Sequence, residues 1–177
     1  MILIDREIRI ALADKYVEIT PLPDLDVAVS STSIDLKLSD TFKTWKKLPG
    51  TTISPGKAGY SYTQFSQLQE SHTGSFKLAP NEFVLAWTRE KVSIPFKSRL
   101  AARVEGKSSL ARLGISIHVT APIIHSGFIG QIQLEMYNFG PYEIELTPDM
   151  YVCQLVFEMT TGTPERGYSG IFAGQSE

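Results

Sequence analysis

The 177-residue chain has a single cysteine, Cys153, so no intrachain disulfide can form and no cluster of thiolates can hold a metal. The zinc cradle of metal-dependent nucleobase deaminases needs a His-x-Glu and a Cys-x-x-Cys, and this chain cannot supply it. Its histidines are His72, His118 and His125, and no two of them have the spacing of metal ligands. A protein-bound transition metal is therefore not expected. No apolar run reaches the roughly 18 residues of a membrane-spanning helix. The opening "MILIDREIRI" is charged too early for a signal peptide, so a soluble, cytoplasmic protein with no membrane partner is expected. Neither sign of charge dominates: 17 Lys and Arg face 19 Asp and Glu, a net charge of -2. With no block of like charge, neither a nucleic-acid grip nor an acidic tail is indicated.

Hydrophobic residues make up 42% of the chain, enough for one core, so residues 1–177 are read as one domain. Asp5 precedes "REIRIALADK", in which Ile8, Ala11 and Leu12 fall on one helical face. This is the only stretch that predicts a helix of ordinary length. "SSTSIDLKL" alternates through Ile34, Leu36 and Leu38 as a half-buried strand. Residues 46–76 carry the turn signals "LPG" and "SPG" and read as loop, with Tyr60, Tyr62 and Phe65 to pack part of it down. Short apolar segments then recur between turns: "EFVLAWTRE", "RLAARVEG", "ISIHVTA", "GQIQLEMYN", "YEIELTP" and "MYVCQLVFEM". That pattern predicts an all-β barrel or sandwich. Cys153 lies in the last of these as a core residue. Residues 163–177, rich in glycine and poor in large apolar groups, read as a flexible C-terminal tail.

Two stretches carry polar residues in patterns that a fold alone does not require. In "VEGKSSLARLG", Ser108 or Ser109 can cap a short turn spanning about 108–113, and Gly114 can end it in a left-handed conformation. Such a turn is either a capped piece of surface or an anion seat of N–H groups and hydroxyls beside Lys107. Arg112, one turn on, faces inward or toward a ligand. In "HSGFIGQIQLEMYNFG", Ile132, Leu134 and Met136 share one face, and Gln131, Gln133, Glu135 and Tyr137 share the other. If the sheet curls around a pocket, Glu135 points into it, where a carboxylate suits a proton shuttle. Otherwise it faces solvent. His72 is expected to be solvated, His118 to be a hydrogen-bonded structural residue, and His125 to reach a ligand.

Together, "EGKSSLARLG", "HVTAPIIHSGFIGQIQLEMYN" and "VCQLVF" resemble the dCTP deaminases of the dUTPase-like superfamily, and "MILIDREIRIAL" and "SSTSIDLKL" extend the likeness over nearly the whole chain. The resemblance implies a mainly β fold, a distorted jelly-roll-type β-barrel, assembled as a homotrimer with active sites at subunit interfaces. It implies zinc-independent deamination of dCTP to dUTP, with Mg2+ bound only through the triphosphate and dTTP as a candidate inhibitor. Glu135 would be the general base and acid. Ser108, Arg112 and the carbonyl of Ala121 would position the attacking water. Lys107, Ser109, Leu110 and Ala111 would form the phosphate turn. His118, Val119, Thr120, His125, Gln133, Leu134, Gln154 and Gln175 would complete the substrate site.

The chain departs from the family pattern in three places. Ile124-His125-Ser126-Gly127 stands where Ile-Asp-Pro-Gly is usual, Pro122 and Ile123 replace more polar residues, and Ile171 occupies the place of a tail lysine. Phe172 and Gln175 match the tail pattern, and Arg166 is a candidate for the missing charge. An imidazole replaces a carboxylate that serves as base in dUTPases, so dUTP rather than dUMP is the expected product. A dUTPase, a bifunctional deaminase–diphosphatase and a non-catalytic nucleotide binder are the alternatives.

Overall fold

The computed structural model of the protein describes residues 1–166, apart from the side chains of residues 63 and 64. In chain order the elements are α1 (Asp5–Ala13), β1 (Glu18–Thr20), α2 (Leu25–Ala28), β2 (Ile34–Trp45), α3 (Tyr62–Ser66), β3 (Gln69–Thr73), β4 (Phe76–Leu78), β5 (Phe83–Ser93), a 3-10 turn (Phe96–Ser98), β6 (Leu100–Gly106), α4 (Ser108–Ala111), β7 (Ile115–Ser116), β8 (Ile123–Ile124), β9 (Ile129–Asn138), β10 (Ile144–Leu146) and β11 (Tyr151–Met159). The fold is mainly β, as the short alternating segments predict, and α1 is the only helix of ordinary length among the described residues.

Nine strands form one antiparallel sheet in the order β7-β9-β5-β2-β11-β6-β8, with β1 added to β5 and β3 to β2; β10 and β4 form a separate pair. β2 is the hinge of this sheet because its partner changes along its length. It pairs with β11 through Ile34–Lys37 and with β3 through Thr41–Trp45, while β5 holds its other edge. Register shifts between Leu38 and Phe42 and between Trp87 and Lys91 break the ladders. Bulges of this kind bend and twist a strand, so the sheet curls instead of lying flat.

Inside the curl lies one hydrophobic core. Ile34, Leu36, Leu38, Phe42, Leu134, Met136, Leu155 and Phe157 are fully or almost fully buried. Burying such a side chain contributes about 1.5–3 kcal/mol, so the alternating faces of β2, β9 and β11 dominate stability. Helix α1 closes one end by burying Ile8 and Ala11, and Leu3 N–H donates to Phe157 O at 3.0 Å. Cys153 is fully buried, and desolvation holds its thiol far above the ordinary range.

Two local expectations change. The segment 46–76 is not all loop, for it contains α3 and β3, and Tyr60 stacks on Phe65 with ring centroids 5.4 Å apart. His72 is exposed, as expected, and also hydrogen-bonds Thr44 Oγ1 at 2.9 Å across the β2–β3 pair. "ISIHVTA" is a strand only at Ile115–Ser116. Glu135 N–H still pairs with Ile117 O at 3.1 Å, but Val119 N–H turns to the Glu135 side chain instead of a neighbouring backbone. Pro122 then has no N–H to offer a ladder. Residues 118–121 therefore leave the sheet and wall a cavity, and the chain rejoins β6 at Pro122, whose carbonyl accepts from Val104 N–H at 2.8 Å. Of the predicted tail, residues 163–166 carry no regular element; the rest, with Ile171, Phe172 and Gln175, lies outside the described residues. Among the described residues, no helix is long and apolar enough to cross a membrane.

Candidate active site

A cavity of about 620 Å3 opens between β9, β5 and the segment 118–125. Strand β9 delivers Gln133 and Glu135 to it from the face opposite Leu134 and Met136, as strand alternation requires. His118, Val119, Thr120, Ala121 and His125 form a second wall. The Val119 N–H donates to Glu135 Oε2 at 3.2 Å. That bond holds one carboxylate oxygen of a residue that lines the cavity. A carboxylate oriented by one donor at the wall of a half-enclosed space can take up and return a proton.

His118 differs from its expected structural role. Its ring Nδ1 is buried without a hydrogen-bond partner among the described residues, on a residue that lines the cavity. Its carbonyl accepts from Ser116 Oγ. A buried ring nitrogen without a partner costs free energy, and a polar ligand in the cavity would repay it. Leu134 is fully buried in the core, so its side chain is not a wall of this cavity.

The "GKSSLARLG" residues gather elsewhere. None of Lys107, Ser108, Ser109, Leu110, Ala111 or Arg112 lines the cavity. Helix α4 forms as expected, but neither serine caps it. Lys107 occupies the N-cap position without a side-chain cap, and main-chain bonds from Leu110 and Ala111 N–H to Lys107 O close the turn. Ser108, Ser109, Ala111 and Arg112 are exposed, and Leu110 is the buried anchor. Lys107 is paired with Asp35 and lies 5.8 Å from the centre of the Tyr151 ring. Gln154 fixes the start of the turn: its Nε2 donates to Gly106 O at 3.2 Å, while Ser33 Oγ donates to its Oε1 at 2.9 Å.

Gly114 ends the turn with φ +93°. A Cβ at Gly114 would come within 2.3 Å of Gly140 N, and one at Gly140 within 2.2 Å of Leu113 O. Phe139 N–H donates to Gly114 O at 2.8 Å. The two glycines thus let the α4 exit rest directly on the end of β9, and only glycine fits both the space and the φ of Gly114.

Sequence reasoning missed the apolar walls: Trp45, Tyr62, Phe83, Leu85, Phe128 and Ile132 also line the cavity. The register carries the signal in part. Leu85 lies opposite Glu135 and Phe83 opposite Tyr137, so strand pairing places them on the face of Glu135, but no single stretch reveals the pairing.

The family model described as "dCTP deaminase-like" matches residues 2–160. A "dCTP deaminase, dUMP-forming" of Methanothermobacter thermautotrophicus is 38% identical over 94% of this chain and 83% of its own. The protein of that name from Methanobrevibacter smithii is 40% identical over 94% of this chain and 84% of its own. A "dCTP deaminase" of Halorubrum lacusprofundi is 38% identical over 95% and 82%. Among solved structures, the 2'-deoxycytidine 5'-triphosphate deaminase of Agrobacterium tumefaciens superposes with a TM-score of 0.67 at 20% identity. That match covers 89% of this chain and about half, 48%, of that one, which establishes the shared fold. On the match to residues 2–160 and on relatives aligned over most of their length, this chain belongs to the dCTP deaminase-like family of hydrolases.

Proposed function

We propose that the protein deaminates dCTP in the cavity around Glu135, with the nucleotide entering as its magnesium complex and no zinc taking part. The single observation that carries this reading is Glu135 itself, a carboxylate oriented by Val119 N–H at the wall of a half-enclosed space of nucleoside size. Glu135 takes a proton from water and passes it to N3 of cytosine. Hydroxide adds to C4, Glu135 moves the proton of that C4 hydroxyl to the amino group, the C4–N bond breaks and ammonia leaves, with N3 keeping its proton in the uracil product. Proximity and a shuttling carboxylate replace the metal's activation of water.

Ser108, Arg112 and the phosphate turn reach the substrate from a neighbouring subunit of a homotrimer. Support for this comes from their exposure and their absence from the walls of their own chain's cavity. Lys107 then acts through α4, held by Asp35, as much as through its charge.

The names of the most similar relatives move the end product from dUTP, the expectation based on His125, to dUMP. After deamination, a second water releases diphosphate. His125 lines the cavity, and a neutral imidazole can accept that water's proton. Incubation with dCTP and magnesium, followed by separation of nucleotides, tests both steps. Ammonia, dUMP and diphosphate are expected; ammonia with dUTP alone would refute the second step, and no ammonia would refute the first.

A further inference from the structure

The cavity has a side that neither the deamination step nor the diphosphate step uses. β2, β5 and β9 lie side by side, with Leu85 opposite Glu135 and Lys43 opposite Leu85. Two residues farther along their strands, and so on the same face, come Phe83 and Trp45. Adjacent strands are spaced about 4.8 Å apart, so the row from Glu135 leads within two strands to the indole of Trp45. Tyr62, at the start of α3, faces the same space, and its hydroxyl accepts from Gln69 Nε2 at 3.2 Å. Gln69 is the register partner of Trp45 on β3. The half-buried indole and phenol are thus tied into one wall with Leu85 and Phe83.

The two sides of Glu135 differ in chemistry. On the loop side stand the backbone of residues 119–121 and the unpartnered Nδ1 of His118. On the sheet side stand Leu85, Phe83 and Trp45, with Gln133 beside Glu135 on β9. A cytosine ring has the same division, with O2, N3 and the amino group along one edge and the C5 and C6 carbons along the other. Docking the polar edge to the loop sets N3 and O2 toward the polar groups of residues 118–121 and C5 toward apolar side chains. The reverse sets N3 and O2 against Leu85, Phe83 and Trp45, which offer no donor but the indole N–H.

We propose, building on the deamination reading, that Trp45, Phe83 and Leu85 receive the C5 edge of the pyrimidine and admit a C5 substituent, so that 5-methylated deoxycytidine triphosphate is a second substrate. The reaction is the same hydrolysis. Water adds at C4, the C4–N bond breaks, ammonia leaves, and the 5-methyluracil (thymine) nucleotide forms without any change of oxidation state. Trp45 is a specificity residue here and takes no part in the proton transfers.

Ammonia release from 5-methyl-dCTP and from dCTP is measured on the full-length protein, its Trp45→Ala and Trp45→Phe variants, and nucleotide binding is followed by fluorescence. The chain has two tryptophans, and Trp87 is buried, so Trp87→Phe leaves Trp45 as the sole indole reporter. The expected kcat/KM for 5-methyl-dCTP lies within about fivefold of that for dCTP, because a methyl group gains burial against an apolar wall. Trp45→Ala should raise KM for the methylated substrate about tenfold with kcat changed less than about threefold, and Trp45→Phe should restore it. Turnover of dCTP without turnover of 5-methyl-dCTP, or a KM indifferent to Trp45→Ala, overturns the inference and leaves the deamination reading intact. If neither nucleotide is deaminated, that reading falls and Trp45 emission decides this one. A shift on adding 5-methyl-dCTP at least as large as with dCTP upholds the wall, and no shift overturns it.

Discussion

Glu135 and Arg112 come from neighbouring stretches of sequence, yet their surroundings differ sharply. Glu135 lines a cavity walled by residues of its own chain, and a backbone N–H from residue 119 orients it. Arg112 projects from α4 into solvent, beside two exposed serine hydroxyls and beyond the walls of that cavity. Everything beneath α4 is built for rigidity: the buried Leu110, the Lys107–Asp35 pair, the Gln154 bridge and the Gly114–Gly140 contact. A rigid scaffold under exposed polar groups makes sense when those groups must meet something outside the chain. The comparison separates a pocket walled by one chain from a rigidly held polar turn outside it, which the proposed homotrimer would bring to a neighbouring pocket.

Substitutions that strike the two regions separately sharpen this contrast. The largest effect belongs to Glu135→Gln, which removes the proton shuttle while keeping size and hydrogen bonding. The kcat for ammonia release should fall about 10³-fold or more, with nucleotide binding retained by calorimetry. Arg112→Ala should cost about 10²-fold in kcat/KM with an unchanged melting curve, because the side chain is exposed and makes no intrachain bond among the described residues. A drop in melting temperature would instead assign Arg112 a structural role.

Gly114→Ala tests the scaffold. A Cβ placed 2.3 Å from Gly140 N at φ +93° should lower stability by about 2 kcal/mol, or roughly 4–8 °C in Tm. Activity should fall as α4 shifts. A variant as stable and active as the parent would show that α4 needs no such seat.

The smallest effect concerns Glu90, which lies near the β5 register shift and outside the walls of the cavity. Burial raises its carboxyl above the ordinary 4.5; the Lys37 N–H it accepts at 2.9 Å and the charges of Arg89 and Lys37 offset this in part. The folded state therefore holds the proton more tightly than the unfolded chain. This favours folding fully below the ordinary value, and the advantage is lost as pH rises through the raised one. Glu90→Gln keeps an acceptor for Lys37 N–H, so its Tm should fall less than the parent's between about pH 4 and 8. Parallel curves for the two proteins would contradict the assignment.

The strands were legible where their burial alternates: Ile34, Leu36 and Leu38 in β2, and Ile132, Leu134 and Met136 in β9, read the same way in sequence and in space. Helix α1 was legible for the same reason, through Ile8 and Ala11. The 118–121 segment was not, because "ISIHVTA" has the composition of a strand and only the competition between Glu135 and the backbone for Val119 N–H diverts it. The serine caps were misread because a main-chain turn closed at Lys107 without them. Glu135 as a pocket residue was one of two readings of the alternating face, and the curl of the sheet decides between them. Trp45 and Phe83 were invisible as site residues, since their place depends on pairing between strands far apart in the chain.

The proposed active site joins a pocket in one subunit to α4 of another, and mixing two inactive proteins tests this directly. Glu135→Gln and Arg112→Ala chains are unfolded together, refolded as mixed assemblies and assayed for ammonia release from dCTP. Shared sites predict recovery of about a quarter of the parental activity, from sites that draw Glu135 from one chain and Arg112 from the other. Activity no greater than that of the two variants assayed separately would contradict it.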